Sequence, residues 1–306
     1  MDRAGTHGKN EGMTMQTIDQ LSPVKRQVPL DGLYLGQRLK ALAAEMGRSL
    51  VLTDYLTDKN GVVAKAARDG HFEVPAALKN ASDWGRFHEL MAQADVIVSS
   101  GSYFKRLAGK GAQDVLSSFE PGGAFESLGH WRLDAGYEKR NPDVAVVTRH
   151  LDFEIPETLR KSGRKIIIFT TNSMVNSDQA KALRNAGLLI LGSGEEGVEG
   201  DRMIAALAGD LGYRVIMMVS GPSVLDLLLA AKRLDLLYVT EAQMEIPVDD
   251  PAAVQTMLSG GRKIGELQEF HLAHKFVQEQ VQTEDGSLIS QSFLRYDAKH
   301  IRRSPG

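Results

Sequence analysis

The chain contains no cysteine. Disulfides, thiolate catalysis and cysteine-ligated metal are therefore excluded, and the absence agrees with a cytoplasmic setting. Net charge is nearly absent too, with 36 basic residues against 39 acidic ones in 306. Such a balance leaves no electrostatic footprint for nucleic acid or an acidic membrane surface. No apolar run approaches the roughly 20 residues needed to cross a bilayer. Met1 to Gln20 is polar and glycine-rich with no apolar signal core, so export is not expected. The missing cysteines also cancel one motif. His71-Phe72-Glu73 matches half of a zinc-deaminase signature whose Pro-Cys-x-x-Cys half cannot exist here, so no metal site is expected.

What remains is a chain long enough for a full-size core, patterned as alternating helices and short apolar strands. Residues 1–30 lack apolar periodicity and are expected to be a mobile tail. Leu35, Leu39, Leu42 and Met46 fall on one helical stripe, which predicts an N-terminal helix over 31–47. A single α/β domain is expected over 48–300. Leu50 to Leu56, Val96 to Val98, Val144 to Val147, Ile166 to Phe169, Leu188 to Leu191, Val215 to Val219 and Leu236 to Val239 read as strands. Helical segments separate most of them, one of them capped by Ser82, which argues for a mostly parallel sheet covered on both faces. The end differs: Phe270 to Gln282 and Ser287 to Tyr296 meet at Asp285-Gly286 and predict an antiparallel hairpin.

The most informative stretch is Val215 to Val219 followed by Ser220-Gly221-Pro222-Ser223 and the helical run from Val224. Pro222 suits the first helical position, because its missing N–H would be unpaired there anyway. A small-residue turn between a buried parallel strand and a helix start aims backbone N–H groups and the positive helix end outward, a ready phosphate site. The competing reading is a βα turn with no ligand. By contrast Gly192-Ser193-Gly194-Glu195-Glu196-Gly197 fits G-x-G-x-x-G but carries two glutamates and does not open directly into a helix. The acidic residue expected about 20 positions on would fall in an apolar strand, so this segment is read as a flexible exposed loop.

Taken in order, these elements resemble the C-terminal reductase domain of the bifunctional riboflavin-biosynthesis deaminase/reductase, a family with a dihydrofolate-reductase-like α/β/α fold. Thr57-Asp58-Lys59-Asn60-Gly61-Val62-Val63-Ala64 resembles the turn after its first strand. Ser82-Asp83-Trp84 resembles a Ser-x-Trp lining the substrate and nicotinamide pocket, and the stretch Ala94 to Ser102 resembles a strand whose turn touches the cofactor. Val146 to Arg149 and Ile168 to Thr171 resemble strand ends near the adenosine side of NADP, and Met218 to Pro222 the phosphate-cradling V-E-G-G-P turn. The resemblance implies NADPH as cofactor, a homodimer, and reduction of a small heterocycle. Cofactor contacts are thereby expected from Ser100, Gly101, Ser102, Thr148, Arg149, Thr170, Thr171, Ser220, Gly221, Pro222, Ser223 and Val224. Substrate contacts are expected from Ser82 and Trp84, and catalytic roles from Asp58 and Trp84.

The departures are informative. Val219 and Ser220 replace the glutamate and first glycine of that turn, Ser100 and Tyr103 replace a glycine and a threonine, and Met91 stands near a family arginine. No D-N-P-x-L-x-x-R segment is recognisable between Gly109 and Asn141. The missing charges are those that hold a ribosyl-phosphate pyrimidine. A catalytically degenerate ligand-binding or assembly protein on the same fold is the alternative. Asp54 and Asp58 are the carboxylates nearest the expected pocket and are candidate proton donors. Each candidate has a plainer reading as well: Trp84 as core packing, Arg149 as a solvated arginine, Asp58 as a turn residue and His88 as a surface histidine.

Overall fold

The computed structural model describes residues 16–67, 70–109 and 111–301. Its strands, in chain order, begin with β1 (Thr17–Ser22), β2 (Arg26–Pro29), β3 (Leu50–Asp58), β4 (Val62–Ala66) and β5 (Phe72–Glu73). They continue with β6 (Val96–Ser100), β7 (Asp143–Val147), β8 (Ile166–Thr170), β9 (Leu189–Gly192) and β10 (Val215–Met218). The last are β11 (Leu236–Ala242), β12 (Val254–Thr256), β13 (Phe270–Gln282) and β14 (Leu288–Ala298). Among the α-helices are α1 (Leu39–Glu45), α2 (Ala81–Gln93), α3 (Gly101–Ala108), α4 (Glu126–Asp134), α5 (Glu157–Lys161) and α6 (Asn172–Val175). Three more are α7 (Asp178–Asn185), α8 (Gly200–Ala205) and α9 (Pro222–Ala230).

Eleven strands form one sheet in the order β2-β1-β13-β14-β11-β3-β10-β6-β7-β8-β9, and β12-β4-β5 form a small second sheet. The seven strands from β11 to β9 run parallel to one another. The other neighbours are antiparallel. This is the α/β architecture expected from the sequence, a mostly parallel sheet finished by the Asp285-Gly286 hairpin. The central strands explain themselves: Val215 to Met218 is buried at every position, as a strand covered on both faces requires.

The N-terminal segment departs from expectation. Residues 17–29, placed in a tail by the sequence, form a β1–β2 hairpin paired to β13, while residues 1–15 lie outside the described residues. Its period-2 signal was hidden because one inward position is polar: Ile18 and Gln20 are the buried pair. The helix expected over 31–47 shrinks to Leu39–Glu45, since Gly32 (φ 78°) and Arg38 (φ 51°) adopt left-handed backbone that no helix can contain. Helix α2 is capped by Asn80, whose side chain accepts from the Asp83 N–H, rather than by Ser82. The Gly192–Gly197 segment is a loop with Glu195 and Glu196 exposed, as expected, but its Ser193-Gly194 portion is packed inside. Gly194 (φ 150°) is buried, its carbonyl accepts from the Asn172 N–H at 2.7 Å, and a Cβ there would meet the Gly197 oxygen at 2.1 Å.

Candidate functional site

Strand β10 lies between β3 and β6, although β3 and β6 precede it in the chain. The order of crossovers therefore switches here, and ligands of open α/β sheets bind beyond the carboxyl ends of strands at such a point. A cleft of about 810 Å³ opens there. Its floor comes from Asp54 and Leu56 of β3, Ser100 at the end of β6 and Val219 after β10. Val63, Phe72, Phe87 and the 255–260 segment close its sides. A second hollow of about 860 Å³, lined in part by Arg26, Phe276 and Arg295, lies under the N-terminal hairpin and shares no residue with the cleft.

The turn after β10 is held from below. The Tyr55 hydroxyl donates to the carbonyl of Ser220 at 3.0 Å, and burial raises its pKa far above the ordinary tyrosine value. The Val219 N–H and the Ser220 hydroxyl both donate to the Val98 carbonyl, at 2.9 and 3.3 Å. Gly221 is the N-cap of α9 with φ −66°, and Pro222 occupies the first turn. A Cβ on Gly221 would meet nothing within 4 Å, because that face is open. Ser220, Gly221, Pro222, Ser223 and Val224 all line the cleft, so the five residues expected at one turn are found at one wall.

The β6–α3 turn forms the adjoining wall. Ser100 caps α3, its hydroxyl accepting from the Tyr103 N–H at 3.3 Å and lying 2.8 Å from the Ser102 hydroxyl. Ser100 and Ser102 line the cleft, while Gly101 is packed beneath, where a Cβ would stand 2.6 Å from Thr148 Oγ1. Only glycine permits that approach. Thr148, Arg149, Thr170 and Thr171 sit on the same carboxyl edge, along β7 and β8, but outside the cleft lining. Arg149 is exposed. Thr170 is fully buried, and Thr171 caps α6 by accepting from the Met174 N–H.

The residues expected to act on substrate are placed elsewhere. Asp58 is 1% exposed and outside the cleft; its Oδ1 accepts from the N–H groups of Asn60 and Val62 and its Oδ2 from that of Ile246, each at 2.8 Å. With its carboxylate tied to three backbone donors, Asp58 fastens a turn. The Ser82 hydroxyl accepts from Gln278 Nε2 at 3.0 Å, tying α2 to the terminal hairpin. Trp84 stacks on Phe87 with ring centres 5.2 Å apart, and it is Phe87 that faces the cleft. Trp84 is one ring removed from it. His88 is not a surface residue: it is fully buried, bonded to the Trp84 carbonyl and the Ser118 hydroxyl, stacked on Phe125, and lowered by burial to a pKa of about 4.

Sequence reasoning passed over Phe87, Tyr55, Arg106 and Asp226, all of which line the cleft. The spacing Trp84–Phe87 was the available signal, since residues three apart share a helix face. Met91, near the place of a family arginine, is fully buried in the core and could not reach a ligand. Among the described residues no cluster of three or more His, Asp or Glu is placed to hold a metal, and no helix is long and apolar enough to cross a membrane.

No family model matches the chain, and no curated protein matches it in sequence. Solved structures do match in fold. A pyrimidine reductase-like protein from Corynebacterium diphtheriae superposes with a TM-score of 0.56 at 16% identity, over 87% of this chain and 99% of that one. RibD from Acinetobacter baumannii superposes with a TM-score of 0.51 at 11% identity, over 83% of this chain but 58% of that one. The chain thus has the α/β fold of the RibD-type pyrimidine reductase-like proteins, with its own cleft residues at the carboxyl end of the sheet.

Proposed function

We propose that the chain is an NADP(H)-dependent reductase of a small heterocyclic substrate of pyrimidine or pteridine type, acting in the cytoplasm as a homodimer. The observation that carries this reading is the Ser220–Val224 turn, a strand–small turn–helix wall with an open glycine face in a cleft large enough for a ligand. The bound nicotinamide would supply hydride. The protein's part is positional: Ser220, Gly221, Pro222, Ser223 and Val224 hold the phosphates, and Ser100 and Ser102 flank them. Gly101 lets that second turn pack against Thr148. Arg149, exposed at the end of β7, takes the 2′-phosphate through its planar guanidinium, with Thr148, Thr170 and Thr171 along the same edge.

Phe87, Val63 and Leu56 offer a flat ring an apolar surface, with Trp84 stacked behind Phe87. Arg106 is the one cation of the described lining, against Asp54, Glu73 and Asp226. That balance favours an uncharged heterocycle over a ribosyl-phosphate pyrimidine. Calorimetric titration with NADPH and NADH tests the reading: NADPH should bind more tightly, and no binding of either cofactor would end it. Val219, which lines the cleft where the resembled turn has glutamate, supports a second reading as a non-catalytic binder. NADPH binding without oxidation across a panel of pyrimidines and pteridines would favour that reading.

A further inference from the structure

Below the cleft lies a group of polar atoms without partners. Asp54 Oδ1, Asp83 Oδ1, the Tyr34 hydroxyl and Arg86 Nε and Nη1 are all enclosed and make no hydrogen bond. A buried polar atom left unpaired costs about 1–3 kcal/mol, so several in one place call for a physical account. They come from separate elements: Asp54 from β3, Asp83 and Arg86 from α2, and Tyr34 from the segment after β2. The residues are near enough for Asp54, Asp83 and Arg86 all to act on the Tyr34 hydroxyl, alongside Tyr238 of β11, and Thr240 of β11 faces Asp83. Asp54 alone of these lines the cleft, while its Oδ1 is enclosed.

Arg86 offsets the two aspartates only in part, because its guanidinium is also claimed by another carboxylate. Its Nη2 donates to Glu89 Oε1 at 2.6 Å, with Asp31 Oδ1 at 3.4 Å. Glu89 is in turn fixed by the N–H groups of Gly32 and Tyr34 at 2.7 and 2.8 Å. Two enclosed carboxyls without a full counter-charge cannot both ionise cheaply, and one keeps its proton. Burial, reinforced by the charge of Asp83, pushes Asp54 well above the usual carboxylate range. Burial also lifts Asp83, to about 6, against the opposing pull of Thr240 and Arg86.

We propose that Asp54 and Asp83 hold one proton between them at neutral pH, and that Asp54 presents it to the molecule bound in the cleft. The proposal rests on the reductase reading for its chemistry. Reduction of a C=N or C=O bond adds the hydride pair of a nicotinamide cofactor at carbon and a proton at the heteroatom. The Asp54 O–H bond breaks as the new N–H or O–H bond forms, and solvent returns the proton to the carboxyl pair. Asp54 is the group that meets substrate; Asp83 positions and holds the proton.

Carboxyl-¹³C NMR of aspartate-labelled full-length protein reads the shared proton directly. One of the two carboxyl signals should keep a protonated shift at pH 7; Asp54→Asn should abolish it, and Asp83→Asn should move its titration to lower pH while leaving the burial that raises it. Dicyclohexylcarbodiimide, which reacts with protonated carboxyls, should label Asp54 at pH 7, as located by mass spectrometry. Labelling should fall as pH rises, and in Asp83→Asn that fall should set in at lower pH, which a merely structural Asp83 would not cause. Two ionised carboxylates at pH 7, or no label on Asp54, overturns the proposal even if the variants fail to fold, since the wild-type protein alone decides it. An NADPH titration of the same sample separates the two claims. A shared proton without NADPH binding contradicts the reductase reading, whereas NADPH bound beside two carboxylates contradicts only the proton pair.

Discussion

Asp58→Ala isolates what the turn after β3 contributes. Three backbone donors converge on that carboxylate, from Asn60, Val62 and Ile246, each at 2.8 Å. Alanine leaves all three without an acceptor. The bonds to Val62 and Ile246 are buried, and each donor left unpaired there costs about 1–3 kcal/mol. Asn60 is exposed, so water replaces its partner at little cost. The loss should therefore be about 2–6 kcal/mol, large beside the 5–15 kcal/mol typical of a folded chain. Urea unfolding should show it as a lower midpoint with an unchanged slope. Asp58→Asn should lose less, because its remaining carbonyl oxygen can still accept from Asn60 and Val62. Neither variant should lose affinity for NADPH while folded. A wild-type midpoint for Asp58→Ala, combined with lost cofactor binding or turnover, would refute this reasoning and return Asp58 to the chemistry.

Three further outcomes are expected. His88 is neutral in the fold down to about pH 4 while an unfolded histidine protonates near 6.5, so the unfolded state binds the extra proton between these values. Stability should accordingly fall by up to about 3 kcal/mol as pH drops from 6.5 to 4, and urea midpoints of His88→Asn should lack that component of the slope. Arg149→Ala should weaken NADPH binding by roughly 1.5–3 kcal/mol and leave NADH nearly untouched; equal losses for both would remove Arg149 from the 2′-phosphate. Light scattering should give a dimer mass, with Leu272 and Leu288, 41% and 69% exposed on the terminal hairpin, as residues available for self-contact. A monomer mass would remove the dimer from the account.

The parts of the fold legible in the sequence were those where one force dominated. Val215 to Met218 and Ile166 to Phe169 are buried on both faces, and only an apolar run satisfies that condition. The Asp285-Gly286 turn was legible because Gly286 (φ 87°) needs the freedom glycine has. Strand β1 was not, since buried Gln20 stands where an apolar residue would mark the period, and its partner β13 lies more than 240 residues away. For the cleft, the Ser220–Val224 turn was legible from local chemistry, and Ser100 and Ser102 from the family resemblance. Phe87, Arg106 and Asp226 were not, because only tertiary packing turns α2, α3 and α9 toward one space. Trp84 stood out as the rarer residue, yet the structure puts Phe87 between it and the cleft. Asp54 was legible as a carboxylate near the pocket, but the proposed pairing with Asp83 was not, since it joins a strand position and a helix position that no short motif links.

The central claim is that the Ser220–Val224 turn holds the phosphates of NADPH. Gly221→Glu tests it most directly, because a Cβ there meets nothing within 4 Å and its φ of −66° suits any residue, so the fold should survive. NADPH titrated calorimetrically into wild type and Gly221→Glu should bind the first and not the second, whose carboxylate occupies the open face and repels the phosphates. Equal NADPH affinity in a folded Gly221→Glu variant would contradict the account.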